Sequence, residues 1–104
     1  MTNQPPIIMV EILPPVVISP SGGYREVRPV NGSDFKLAEL AAFIDDGSVE
    51  LVYLRDGTLL VIDEDGKGKG LAYNEVATGL ALLVIQRGDY IVGPALWCRE
   101  EQIK

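Results

Sequence analysis

The stretch Val49-Glu50-Leu51-Val52-Tyr53-Leu54-Arg55-Asp56-Gly57-Thr58-Leu59-Leu60-Val61-Ile62-Asp63 decides the fold. Two β-prone runs, Val49–Leu54 and Thr58–Asp63, flank Arg55-Asp56-Gly57. An Asp-Gly pair supplies the left-handed backbone angles of a tight turn, so the two runs form an antiparallel hairpin. Leu59-Leu60-Val61-Ile62 is apolar at every position, which places the second run inside a sheet with both faces covered.

Working outward from the hairpin, a helix precedes it and another follows it. Ser33 or Asp34 is positioned as N-cap of the first, because a short side-chain oxygen accepts an otherwise unpaired backbone N–H. Leu37, Leu40, Ala41 and Ile44 follow the spacing of one buried helical face, and Gly47 suits the left-handed residue that ends it. The second helix runs from Asn74 as N-cap to about Ile85, with Val76, Leu80, Leu83 and Val84 as its apolar face. Gly79 weakens that helix by roughly 1 kcal/mol relative to alanine. Tyr24–Val30 and Tyr90–Cys98 read as further strands, with Gly93-Pro94 marking an edge or a bulge in the last. Ile7–Leu13 and Val16–Ile18 are β-prone but are interrupted by Pro14, Pro15 and Pro20, and a proline cannot donate to a sheet ladder. Residues 1–20 therefore read as an extended arm or edge strand, and residues 21–104 as one α+β domain. The expected architecture is a mostly antiparallel sheet of about five strands, with the hairpin at its centre and two helices packed on it.

Composition bounds the function. The chain has 104 residues, 47% of them hydrophobic and 23% charged, as a single globular domain has. Domains of this size are marginally stable, which makes a homo-oligomer a reasonable expectation. The net charge of −6 argues against wrapping a nucleic acid. The acids fall in short groups, Asp45-Asp46 and Asp63-Glu64-Asp65, rather than on one dense face that would imitate DNA. The early apolar stretch is too short to span a bilayer and lacks a basic leader, so no membrane partner is expected. Cys98 is the only cysteine, which fits a reducing cytoplasm.

The chain contains no histidine. That removes Ser-His-Asp and Cys-His nucleophile systems and histidine-containing zinc sites, and one thiol cannot build a thiolate cage. No catalytic residue, metal ligand or cofactor is assigned. Asp63-Glu64-Asp65-Gly66 begins like a calcium loop, but its fifth position is Lys67, where an oxygen ligand belongs, and its twelfth is Asn74, where a glutamate belongs. It reads as a solvated turn.

Gly66-Lys67-Gly68-Lys69-Gly70 is the strongest binding candidate. Alternating glycines can turn backbone N–H groups toward one anion, and two lysines add positive charge. The Walker spacing is absent. Tyr73 follows as a flat surface for a base, and Asn74 stands at a helix start, where the dipole favours anions. Tyr90 and Trp97 are the candidate interface residues, since an aromatic side chain on a late strand often meets another subunit.

Asp63-Glu64-Asp65-Gly66-Lys67, Gly70-Leu71, Asn74, Gly88-Asp89 and Ile91-Val92-Gly93 together resemble a family of small uncharacterised proteins of bacteriophages, plasmids and other mobile elements. That family carries an acidic-Glu-acidic-Gly segment, a Gly-Leu-Pro-x-Asn segment and an Ile-Val-Gly strand. Here Ala72 stands where the proline is usual. The likeness spans about Tyr24 to Cys98 and leaves out the stretch through Ile18. It implies an accessory role, such as blunting host defence, and brings no enzymatic activity with it. The expected function is therefore non-enzymatic sequestration of a small anionic ligand, a host immune signalling nucleotide being the sharpest version. The alternative is an inhibitor or adaptor that docks on a host protein through an apolar patch around Tyr90–Trp97.

Overall fold

The computed structural model describes residues 13–103. Five strands and two helices alternate as β1 (Val16–Ile18), β2 (Tyr24–Glu26), α1 (Leu37–Phe43), β3 (Val49–Tyr53), β4 (Thr58–Asp63), α2 (Glu75–Ala81) and β5 (Ala95–Arg99). The strands form one sheet in the order β2-β1-β5-β4-β3, with every neighbouring pair antiparallel. This is the α+β architecture that the sequence implied, except that the β3–β4 hairpin lies at one end of the sheet, with β3 as an edge strand, and not at its centre. The hairpin closes in the register Val49 opposite Asp63 to Tyr53 opposite Leu59, and Gly57 takes a φ of 84° at its turn. β4 is interior, and Thr58 through Val61 are fully buried.

Strand alternation divides the core in two. On one face Leu59 and Val61 of β4, Leu96 and Cys98 of β5, and Val17 of β1 pack beneath Phe35 and Leu40. On the other, Leu60 and Ala95 lie under Ala77 and Ala81 of α2. The row Glu26, Val16, Trp97, Leu60, Val52 crosses the whole sheet on this second face.

Several expectations are corrected. Val16–Ile18 is neither an arm nor an edge strand. It pairs with β2 on one side and β5 on the other, because Pro14, Pro15 and Pro20 all lie just outside its three ladder residues. The remainder of the expected arm, residues 1–12, lies outside the described residues. β2 is shorter than expected, ending at Glu26. α1 starts later than Ser33 or Asp34. Lys36 is its N-cap, and the Glu39 carboxylate reaches back to accept from the N–H groups of Lys36 (3.1 Å) and Val30 (2.9 Å). Leu37 is 70% exposed, and Phe35 takes the buried place instead. The left-handed residues that end α1 are Asp45 and Asp46, not Gly47. Gly47 is required for another reason, since a Cβ there would collide with the Asp63 carboxylate. β5 begins only after Gly93-Pro94 and is the middle strand rather than an edge.

The largest correction concerns α2. Val76, Leu80, Leu83 and Val84, expected to be buried, are 38–72% exposed. The buried side of the helix is Ala77, Thr78 and Ala81. Small side chains four apart let the helix lie close on the sheet, and its large apolar residues stand at the flank.

Candidate functional site

Asn74 caps α2 as expected, but its surroundings leave nothing for a ligand. Its side chain is fully buried. Its Oδ1 accepts from the Ala77 N–H at 3.0 Å, and its Nδ2 donates to the carbonyls of Ile18 (3.1 Å) and Gly93 (2.8 Å). It thereby ties α2 to β1 and to the approach of β5. Thr78 adds to the same tie, accepting from the Ile91 N–H at 2.9 Å.

The glycine loop is a series of turns that engage three of its five amides internally. The N–H of Gly66 donates to Asp63 O, that of Lys69 to Asp65 O and Gly66 O, and that of Gly70 to Lys67 O. Both lysines already hold carboxylates. Lys69 Nζ lies 2.6 Å from Asp63 Oδ2, whose side chain is 2% exposed. The Asp63 Oδ1 also accepts from the N–H of Asp65 (2.9 Å) and Ser48 (3.3 Å). The hydrogen bond from Lys69 holds the Asp63 carboxyl below its ordinary range, and the same bond raises Lys69. Lys69 therefore fastens the loop to the end of β4.

Lys67 is placed differently. Its ammonium pairs with Asp89, which raises the lysine and lowers the aspartate. It also lies 4.3 Å from the centre of the Tyr90 ring, and Tyr90 packs at a tilt against Tyr73, with centroids 6.0 Å apart. So the structure brings Lys67, Tyr73 and Tyr90 together, and leaves Lys69 and Asn74 outside that corner. Beside it is a cavity of about 120 Å³ whose wall includes Glu50, Asp63, Glu64, Asp89 and Lys67. Carboxylates outnumber ammonium groups there, which is poor surroundings for an anion.

Tyr90 and Trp97 line different pockets. Trp97 forms part of a wide-mouthed groove of about 500 Å³ between the flank of α2 and the first two strands. Val16, Ile18 and Tyr24 contribute from the sheet, Val76 and Leu80 from the helix, and the exposed lining is predominantly apolar. A second depression of about 210 Å³ shares Trp97, Leu80 and Asp56 and continues past Leu83 and Val84. Sequence reasoning missed this groove because it turned α2 the wrong way. The available signal was Ala77 and Ala81, a small-residue pair on a helix that also offers a large-residue stripe. Cys98 is fully buried in the sheet core, and that burial pushes its thiol up to about 12.

A small antiparallel sheet thus carries one helix on each face, with an apolar groove beside α2. The chain belongs to a family described as a domain of unknown function, DUF3846, whose model matches residues 15–103. The match includes β1, which the sequence resemblance had left outside the pattern. Comparison with curated proteins and with solved structures finds no match. Among the described residues no helix is long and apolar enough to cross a membrane.

Proposed function

We propose that this chain is a non-catalytic accessory protein of a phage or mobile element that works by holding a polypeptide partner at the groove beside Trp97. The observation that carries this reading is the exposed pair Val76 and Leu80 on α2, which lines one groove with Trp97, Ile18 and Tyr24, and Leu83 beyond the helix end, which extends it past Trp97. Contiguous exposed apolar surface is costly in water and marks contact surfaces on small domains. A groove open along its side suits side chains presented by a macromolecule, whereas small-molecule pockets enclose most of their ligand. Stoichiometric capture requires no histidine and no reactive thiol. The test uses the neutral dye Nile red with the full chain. Dye fluorescence should rise on binding and Trp97 emission should change with it. Leu80→Asp should cut the dye signal several-fold while circular dichroism stays the same. Undiminished dye binding by that variant would overturn the reading.

A second reading rests on the Lys67–Tyr90–Tyr73 corner. A flat anionic ligand, such as a host signalling nucleotide, would stack on Tyr73 and displace Asp89 from Lys67. Native mass spectrometry of the protein purified from cells with active nucleotide signalling would reveal a retained mass. Lys67→Ala should abolish it. Retention of the same mass by Lys67→Ala would count against this site.

A further inference from the structure

We infer that the occupant of the groove is an apolar segment of another protein flanked by basic residues, an inference that rests on the groove reading above. Among the described residues the charged side chains lining the main groove are Glu26 and Asp56, both acidic. Glu26 lies in the cross-sheet row that contains Val16 and Trp97, and Asp56 lies at the turn of the β3–β4 hairpin at the end of the sheet, where its Oδ1 accepts from the Thr58 N–H and hydroxyl. Arg55, in the neighbouring depression, is turned aside, with its guanidinium donating to the Leu83 carbonyl at 3.4 Å. Arg28 reaches Glu26 only at 3.9 Å on the open surface, where such a pair is weak and easily exchanged. The field of the whole chain has the same sign, at −6. Cationic residues at the ends of an apolar segment therefore gain from both the local carboxylates and the long-range potential.

The same charges disfavour the other occupants. A second copy seated about a two-fold axis would bring Glu26 and Asp56 toward their equivalents, and like charges oppose association. The chain's own residues 1–12 contain one charged side chain, Glu11, and no lysine or arginine. Val76 and Leu80, one helical turn apart on the groove wall, with Leu83 in the adjoining depression, suit a partner helix with apolar anchors at i, i+3, i+4 and i+7.

The experiment uses three synthetic peptides without tryptophan. They share apolar residues at those four positions and carry lysine, glutamine or glutamate elsewhere. Each is titrated into the full chain, and emission from Trp97, the sole tryptophan, reports occupancy. The lysine peptide should saturate the signal and bind about ten-fold more tightly than the glutamine peptide, with the glutamate peptide weakest. High salt should close the gap. Combining Glu26→Gln with Asp56→Asn should reduce the lysine preference while leaving glutamine-peptide binding in place. Equal affinity for all three peptides would overturn the charge inference and leave the groove reading standing. Failure of all three while Nile red still binds would overturn the inference as a whole. Trp97 emission that depends on protein concentration alone would assign the groove to a second copy and overturn it too. Loss of Nile red binding as well would remove the groove reading beneath it.

Discussion

On one face of the sheet Phe35 and Leu40 close over Leu59, Val61, Leu96 and Cys98, and all six are at most 4% exposed. On the other, Ala77 and Ala81 rest on Leu60 and Ala95, while Trp97 and Val16 remain partly open and Leu80 is 46% exposed. Both faces are built from alternate residues of the same strands. The difference lies in the size of the side chains turned inward, Phe35 before α1 and Leu40 within it on one face, Ala77 and Ala81 of α2 on the other. Large residues seal a face, and small ones bring the helix close while leaving its flank uncovered. The first arrangement holds the fold together, and the second leaves surface for a partner.

That contrast can be tested residue by residue. Phe35→Ala empties the sealed face and should cost about 3–5 kcal/mol, much of the total stability of a domain this small, read as a large drop in the urea midpoint. Asn74→Ala should cost about 2–3 kcal/mol, because the cap is lost and buried carbonyls of Ile18 and Gly93 lose their donor. Trp97→Ala, on the open face, should cost only about 1–3 kcal/mol by the same measurement yet abolish Nile red binding, read from the dye's own fluorescence. A stability loss matching that of Phe35→Ala would make Trp97 a core residue and erase the contrast.

The acid response of the fold follows from Asp63. Lys69 depresses the Asp63 carboxyl below its ordinary 3.8. The group therefore stabilises the folded chain above that value, and its contribution fades as pH falls through the depressed one. Urea midpoints between pH 6 and 2.5 should fall on the acid side, and Asp63→Asn should flatten that limb. The smallest effect belongs to Leu80→Asp, within about 0.5 kcal/mol of the parent chain, since the residue lies at the surface. A larger loss would mean that the flank of α2 helps to hold the fold.

The hairpin was legible because its signals are local: an Asp-Gly turn and a run with no polar position. Asn74 as a cap was legible for the same reason, although its reach to Ile18, 56 residues away, was not. α2 was misread because periodicity ranks residues by hydrophobicity. It cannot tell that a close helix–sheet approach admits Ala77 and Ala81 and excludes Val76 and Leu80. β1 was misread because prolines beside a strand look, in sequence, like prolines within one. The loop lysines had the right type of charge, but their partners Asp63 and Asp89 are fixed by the fold, six and twenty-two residues away.

The strand order also constrains how the sheet is joined. The β1–β2 hairpin and the β3–β4 hairpin are each local, but they touch the same neighbour, β5, and no ladder joins them directly. Ala95–Arg99 follows both hairpins in the sequence, so the sheet is continuous only once that strand lies between them, and Trp97 is part of the seam it closes.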